Sequence, residues 1–110
     1  MNVFQKIING ELPCDKVFES ERILAFKDIA PAAPVHILII PKKAYVSLQD
    51  VPKDEIGIVA EIALVAQQLA VEFHLDDGYR LLTNVGLHSG QVVPHLHFHL
   101  LGGRKLGSLG

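Results

Sequence analysis

Three histidines stand at alternate positions near the C-terminus, and their spacing points more directly to chemistry than any other feature. They are His95, His97 and His99, separated by Leu96 and Phe98. In a β-strand, side chains alternate between faces, which predicts the three imidazoles on one face and the apolar residues on the other. Because each ring carries polar nitrogens that need partners, such a row suits proton transfer, metal binding or nucleophilic attack better than core packing.

The residues alone leave three interpretations of this row open. A solvent-exposed strand edge would need no function. A metal site is chemically reasonable for histidines, but three same-face strand positions span roughly 13 Å, and no carboxylate stands within the row to orient the rings. Nucleophilic catalysis needs one neutral imidazole, and neighbouring imidazoles disfavour a second positive charge. The residues favour the third interpretation and predict no metal ligand.

Two other features give weaker signals. His36 opens an apolar stretch beside a loop that contains Pro31 and Pro34. Alone it is typical of a satisfied polar residue at a strand end, and its interest depends on whether that strand lies near the histidine row. The loop at residues 86–91 can present backbone N–H groups to a phosphate, but it lacks the Gly-Lys-Ser/Thr sequence of a P-loop.

Apolar periodicity predicts the elements that must position these residues. They are a helix at 4–8, strands at 17–19, 23–27 and 36–40, a helix from about Asp54 to His74, and strands at 79–85 and 95–101. Asn9-Gly10 ends the first helix, and Asp50 is predicted to cap the element after it, with Pro52 in the first turn. This order predicts an α+β protein with a mainly antiparallel five-stranded sheet, one long helix and one short helix.

The long helix is apolar over a wider arc than a single sheet contact requires. One stripe contains Ile56, Val59, Ala63, Ala66, Ala70 and Phe73, and a second contains Ile58, Ile62, Val65 and Leu69. Either the helix is sunk deeply in its own core, or a second copy of the chain covers part of it in a homodimer.

Composition narrows the class of protein. The 110 residues are 49% hydrophobic and 20% charged, which fits a globular domain with one core. A net charge of −2 argues against a nucleic-acid partner. The single Cys14 excludes a disulfide framework and points to a reducing cytoplasm. With neither a secretion signal nor a bilayer-spanning apolar run, we expect a single cytoplasmic domain over residues 1–110 with no membrane partner.

The chain resembles the histidine triad (HIT) superfamily of nucleotide hydrolases and transferases. The similarity covers nearly the whole sequence and includes the run from His95 to Leu101. It also includes Phe4 to Pro13, Ala25 to Ile29, Pro31, Pro34, His36 and the block Ile40-Pro41-Lys42-Lys43, in that order. The closing Gly102-Gly103-Arg104 is similar to the Hint branch, the histidine triad nucleotide-binding proteins. The branch of dinucleoside polyphosphate hydrolases ends its triad differently.

The resemblance implies the HIT fold, a homodimer with one continuous sheet, and a purine nucleoside phosphoramidase that needs no cofactor or metal. His97 would attack the α-phosphorus of a nucleoside 5′-phosphoramidate and form a nucleotidyl-histidine intermediate, which water would hydrolyse to a purine mononucleotide such as AMP. His99 would contact the phosphate and assist proton transfer. His36 and His95 would support the relay and orient the nucleophile.

The resemblance also implies which residues bind the nucleotide. Asp28 matches the residue that holds the ribose hydroxyls, which suits a carboxylate that accepts two O–H bonds. Asn84 and the backbone of Gly90 and Gln91 match the phosphate-side contacts, and Val92 stands where many relatives carry a polar residue near the leaving group. The apolar pocket for the base is matched by Phe4, Ile7, Leu12, Phe26 and Ile29.

Departures from the family pattern leave the leaving group undecided. Asn2 and Gln5 stand where zinc-bearing relatives place a Cys-x-x-Cys pair, so we expect no structural zinc. The tail from Lys105 to Gly110 is short and lacks an aromatic residue, and Val92 departs near the leaving group. The alternatives are a dinucleoside polyphosphate hydrolase and a nucleotide-binding or interaction module with vestigial catalysis. A zinc-binding protein is a further alternative, which metal analysis would test.

Overall fold

The computed structural model describes residues 1–110 as two helices and five strands. The helices are α1 (Val3–Ile8) and α2 (Gly57–Glu72). The strands are β1 (Lys16–Glu19), β2 (Ile23–Lys27), β3 (Val35–Pro41), β4 (Tyr79–Leu82) and β5 (Phe98–Gly102). Short 3₁₀ turns lie at Leu48–Asp50, Lys53–Glu55 and Leu87–Ser89. The expected α+β class, with one short and one long helix, is confirmed.

The five strands form one antiparallel sheet in the order β1-β2-β3-β5-β4. Strand β3 lies at the centre and is buried along nearly its whole length, as its β-branched sequence predicts. Its pairing with β5 sets His36 opposite Leu101 and Leu38 opposite His99. The central strand and the histidine-bearing strand are therefore neighbours, which gives His36 the proximity that its functional interpretation required.

The two faces of the sheet carry cores of very different size. Helix α2 covers one face and belongs to a cluster of 16 buried residues that includes Ile37 and Ile39 of β3. The other face carries a cluster of five: Phe4, Leu24, Phe26, Leu38 and Ile40. Because α1 has only six residues, it covers only part of this second face. The uncovered part is where a ligand can reach the sheet.

The last two strands are shorter than predicted. Strand β5 begins at Phe98 rather than at residue 95, and β4 ends at Leu82 rather than at residue 85. Before β5, the N–H of His95 donates to the carbonyl of Val93, and the N–H of Leu96 donates to the carbonyl of Tyr45. These bonds draw the chain out of the ladder, so the prediction that His95 and His97 belong to the last strand is wrong.

The long helix also begins later than predicted. It starts at Gly57 instead of Asp54, because residues 53–55 form a separate 3₁₀ turn. Asp50 does not cap the element after it; Ser47 caps the turn that contains Asp50 and donates its hydroxyl to that carboxylate at 2.8 Å.

Helix α2 buries one face and exposes the other. Its buried residues are Ile58, Ile62, Val65, Ala66, Leu69 and Ala70. On the opposite side, Leu64 is 59% exposed and Val71 is 74% exposed. The helix is therefore not sunk in the core of its own chain. Neither helix has the length and apolar character that crossing a bilayer requires.

Candidate active site

An open pocket of about 520 Å³ lies on the sheet face that α1 partly covers. It brings together the acidic residue and two of the histidines singled out from the sequence: Asp28, His97 and His99. The five residues predicted for an apolar base pocket all line it: Phe4, Ile7, Leu12, Phe26 and Ile29. Residues far apart in the sequence thus line one cavity, which combines apolar side chains with two histidines and an aspartate.

The ring of His97 is held in one tautomer by a backbone carbonyl. Its Nδ1 lies 2.7 Å from the carbonyl oxygen of His95. Since a carbonyl oxygen only accepts, Nδ1 must carry the proton, and Nε2 of the neutral ring keeps its lone pair. The edge-to-face ring of Phe4, 5.0 Å away between centroids, packs against the same imidazole. A buried imidazole whose Nε2 lone pair faces a pocket has the geometry of a nucleophile.

A second chain of hydrogen bonds fixes His36 and orients His99. The backbone N–H of Ala32 donates to Nδ1 of His36 at 3.0 Å. The proton of neutral His36 therefore sits on Nε2, which lies 2.9 Å from Nδ1 of His99. When this N–H donates to His99, the proton of His99 resides on its own Nε2. The ring centroids of His97 and His99 are 5.0 Å apart, so a lone pair and an N–H donor stand side by side.

The ring of His95 points into the core and not into the pocket. It is fully buried, and its Nε2 donates to the carbonyl of Pro41 at 2.9 Å. The side-chain amide of Asn2, the capping residue of α1, lies 3.5 Å from Nδ1. The expectation of three imidazoles lining one face of a strand is therefore wrong. His95 contributes to the site only through its backbone carbonyl, which accepts the Nδ1 proton of His97.

Burial keeps several of these imidazoles neutral. Removal from water lowers the pKa of His99 to about 4, and the neighbouring His97 and His36 act in the same direction. Burial also lowers the pKa of His36, although the Asp28 carboxylate opposes the effect. The pKa of His95 is lowered chiefly by burial. His36, His95 and His99 are neutral at pH 7.

Asp28 lines the pocket and also lies beside the hydrogen-bonded pair His36 and His99, which we call the relay. One carboxylate oxygen accepts from the N–H of Ala30 at 2.8 Å, and the other lies 3.4 Å from Nε2 of His36. Asp28, His36 and His99 bring three candidate metal-ligating atoms within 4.8 Å of one another. A metal would need the lone pair of His36 Nε2, but the N–H of Ala32 at Nδ1 keeps the proton on Nε2. This arrangement favours proton transfer over metal binding.

The loop at residues 86–91 is closed by its own hydrogen bonds. The side chain of Gln91 accepts from the N–H of Gly86 at 2.9 Å and donates to the carbonyls of Val46 and Val93 at 2.7 and 3.1 Å. The N–H groups of Gly90 and Gln91 donate to carbonyls within the loop. The side-chain amide of Gln91 therefore ties the loop to Val46, in the segment after β3.

Asn84, predicted on the phosphate side, and Val92, predicted near the leaving group, flank this closed loop. Asn84 follows β4 and is half-buried, and its carboxamide makes no hydrogen bond within the protein. Val92 is 88% exposed. Neither side chain lines the pocket that holds His97 and His99.

Several supporting groups were not identified from the sequence. Thr83 donates its hydroxyl to the carbonyl of His97 at 2.7 Å, and Ala32 contributes only a backbone N–H. No motif marks groups of this kind. Val93 also lines the pocket, two residues before His95. The remaining pocket residues that were missed are Val3, Pro13, Cys14, Lys27 and Leu38.

Comparison with known proteins gives one consistent family. The model of the HIT domain family matches residues 9–106. A HIT-like protein of Chlamydia pneumoniae is 53% identical over 109 residues, which are 99% of each chain. A HIT family hydrolase from Clostridium thermocellum superposes with a TM-score of 0.93 at 45% identity, over 98% of this chain and 95% of that one. A histidine triad nucleotide-binding protein of Candida albicans gives a TM-score of 0.83 at 35% identity, over 100% and 84% of the two chains.

Proposed function

The chain belongs to the HIT domain family, and from that membership we propose that it is a nucleotide hydrolase of the histidine triad type. The specific activity that we propose is purine nucleoside phosphoramidase, acting on the P–N bond of nucleoside 5′-phosphoramidates. We further propose that residues 1–110 form one HIT domain. The observation that carries the proposal is the tautomer of His97, in which a carbonyl holds the Nδ1 proton and leaves Nε2 free.

In the first step, Nε2 of His97 attacks the α-phosphorus. A P–N bond forms to the ring as the P–N bond to the leaving amine breaks, and that amine must receive a proton. We propose His99, whose ring lies beside that of His97, as this donor, through its Nε2–H. The carbonyl of His95 stabilises the positive charge that the attacking ring acquires, because it already accepts the Nδ1 proton.

In the second step, water attacks the phosphorus of the nucleotidyl-histidine. The bond to Nε2 of His97 breaks, and the ring returns to its neutral form with the lone pair restored. The water proton passes to Nε2 of His99 and replaces the proton that the leaving amine took, while the His36 N–H keeps Nδ1 of His99 as the acceptor. The products are a nucleoside monophosphate and an unmodified enzyme, so the cycle needs no cofactor.

The pocket fits the other parts of a purine nucleotide. The ribose hydroxyls would donate to the Asp28 carboxylate, and the base would stack within the apolar wall that contains Phe4 and Phe26, whose rings are 5.8 Å apart and edge to face. We propose the half-buried Asn84 carboxamide as a phosphate-side contact. The backbone of Gly90 and Gln91 is the second contact that we propose, and it requires their N–H groups to leave the carbonyls of Leu87 and Gly86. In this proposal Val92 lies near the leaving group.

Mass spectrometry of protein quenched during turnover of adenosine 5′-phosphoramidate tests this function. We expect an AMP adduct on His97, and we expect His97→Ala to lose several powers of ten in kcat/KM, as other nucleophile knockouts do. His74→Asn is the matched control, because His74 is exposed and its backbone has a φ of 59°, which asparagine tolerates. Equal rates for His97→Ala and the parent protein would overturn the proposal.

The same preparation separates the alternative activities. Comparison of kcat/KM for adenosine phosphoramidate and diadenosine tetraphosphate decides between a phosphoramidase and a dinucleoside polyphosphate hydrolase. Tight AMP binding with no hydrolysis of either substrate over hours would indicate a binding module with vestigial catalysis.

We also propose that the protein is a homodimer in which the sheet continues from one copy into the other. Strand β4 is an edge strand, and Tyr79 on it is 42% exposed. Exposed residues of α2 recur at helical spacing along one outer stripe: Ala60, Ala63, Leu64, Gln67 and Val71. An unpaired strand edge and an exposed apolar helix stripe are both features that association would cover.

A further inference from the structure

We propose that Asp28 couples recognition of the ribose to the chemical step, by controlling which acceptor receives the N–H of His36. The inference rests on the proposed function and extends it, because it gives this carboxylate a role besides holding the sugar. Asp28 is in this respect a positioning residue, acting on the reacting groups through His36 and His99.

The N–H of His36 has one hydrogen-bond acceptor and, slightly farther away, a charged second acceptor. The Ala32 N–H at Nδ1 leaves the proton on Nε2. From there, Nδ1 of His99 lies at 2.9 Å and a carboxylate oxygen of Asp28 at 3.4 Å. The imidazole nitrogen is nearer, but the carboxylate carries a charge, and charge-assisted hydrogen bonds are the stronger class. In the absence of a nucleotide, Asp28 therefore competes with His99 for a single proton.

This competition determines what His99 can donate. If the His36 proton is directed at Nδ1 of His99, that nitrogen must accept, and His99 presents an N–H from Nε2. If Asp28 draws the proton away, Nδ1 of His99 is free to hold a proton of its own. The ligating atoms of all three side chains lie within 4.8 Å of one another, so the carboxylate stands close to both rings. His99 is then divided between two tautomers, and one of them lacks the donor that the leaving amine needs.

A bound ribose removes the competitor. One oxygen of Asp28 is already occupied by the N–H of Ala30 at 2.8 Å. Sugar hydroxyls must therefore donate mainly to the other oxygen, the one that faces His36. Two O–H donors use its lone pairs and reduce its attraction for a third donor. The His36 proton then goes to His99, whose N–H is fixed on Nε2. Only a nucleotide with its sugar hydroxyls sets the relay for catalysis.

The first test compares two substrates on the unaltered protein. Adenosine 5′-phosphoramidate and its 2′,3′-dideoxy analogue share the base, the phosphate and the leaving group. We expect the dideoxy substrate to have a kcat at least tenfold lower, besides a higher KM. If Asp28 only binds the sugar, the dideoxy substrate should have a higher KM and a kcat within twofold of that of the ribose substrate. That result would overturn the inference and leave the proposed function intact.

The variant Asp28→Asn gives an opposite and more specific expectation. An asparagine oxygen can still accept from Ala30, whereas its amide group cannot accept the His36 proton. We expect KM to rise for the ribose substrate and the sugar dependence of kcat to disappear, so that the two substrates agree within twofold. Retention of the tenfold kcat ratio in this variant would also overturn the inference. Asp15→Asn is the matched control: Asp15 pairs with Lys27 at 3.7 Å, its side chain is 68% exposed, and the variant should behave as the parent protein.

Nitrogen-15 NMR of the histidine rings tests the coupling without turnover or a variant. We expect AMP to shift the His99 signals to those of a single tautomer protonated on Nε2, and 2′,3′-dideoxy-AMP at saturation to leave them averaged. Identical spectra with both ligands would overturn the inference alone. Failure of AMP to bind at all would overturn the proposed function together with it.

Discussion

At the scale of single residues, backbone hydrogen-bond partners decide what three chemically identical side chains can do. His97 donates from Nδ1, whereas His95 donates from Nε2, and both donate to backbone carbonyls. His36 accepts at Nδ1 from the backbone N–H of Ala32. Since each partner is a backbone group with a fixed polarity, no rotation of a neighbouring side chain can reverse the assignment.

Burial of neutral imidazoles makes stability depend on pH. The pKa of His99 is lowered from 6.5 to about 4, so the unfolded chain binds this proton more readily than the folded protein. Stability is therefore complete above about pH 6.5 and falls as the pH drops toward 4, by roughly 3 kcal/mol from His99. The pKa values of His36 and His95 are lowered as well, so their contributions have the same sign.

Urea unfolding of the parent protein and of His99→Gln between pH 7.5 and 4 measures this effect. We expect the free energy of unfolding of the variant to fall less over that range, because glutamine does not titrate. His74→Asn, at an exposed position with a left-handed backbone, should parallel the parent protein. Parallel curves for all three proteins would show that burial of His99 does not penalise its protonation.

At the scale of elements, the predictions that rest on local sequence signals were mostly right. The predictions that depend on contacts between distant segments were wrong. The β-branched run of β3 and the Asn9-Gly10 helix stop are local signals, and both features are present. The start of β5 could not be read from the alternation of His95, Leu96 and His97. It depends on bonds to Val93 and Tyr45 that draw the chain away from β3.

The site shows the same division. The proposed catalytic pair, His97 and His99, and the acid Asp28 could be named from residue types, spacing and family resemblance, and one pocket contains them. The inward turn of the His95 ring was not predictable, because it follows from a carbonyl at Pro41, 54 positions away in the sequence. Sequence patterns place side chains on faces, but backbone acceptors in other elements decide which way a polar ring turns.

The glycine directly after β5 is a further requirement at the scale of elements. Gly103 has a φ of 95°, and a Cβ atom there would lie 2.9 Å from Cβ of Pro34, in the loop before β3. That loop also contains Ala32, whose N–H fixes His36 and whose carbonyl accepts from the Arg104 guanidinium at 2.8 Å. The close approach of Gly103 to Pro34 therefore helps to keep the loop that contains Ala32 and Pro34 in contact with His36.

We expect Gly103→Ala to lower the free energy of unfolding by about 1–3 kcal/mol, because it adds left-handed backbone strain to a steric clash. Gly107→Ala is the control, since a Cβ at Gly107 meets no atom within 4 Å and its φ is not positive. Denaturant unfolding at pH 7.5 measures both changes. Equal stability of the two variants would mean that the Pro34 loop yields at little cost.

At the scale of the whole molecule, one face of the sheet carries the main hydrophobic core and the other carries the pocket. The face under α2 supplies most of the buried apolar residues and so most of the hydrophobic stabilisation. The face under α1 holds a cluster of only five and leaves the pocket open. This division lets one face carry polar imidazoles without weakening the main core. It leaves the outer stripe of α2 and the edge of β4 as the surfaces on which two copies can meet.

Leu64→Glu tests the proposed dimer on that outer stripe. Leu64 is 59% exposed in the single chain, so glutamate costs little there unless a second copy covers the position and buries an unpaired charge. Analytical ultracentrifugation should give a dimer mass for the parent protein and a monomer mass for the variant at micromolar concentration. Val46→Glu is the control, because Val46 is 51% exposed but lies outside α2 and β4. A dimer that withstands Leu64→Glu, or a parent protein that is monomeric, would place the α2 stripe in solvent and overturn the assignment.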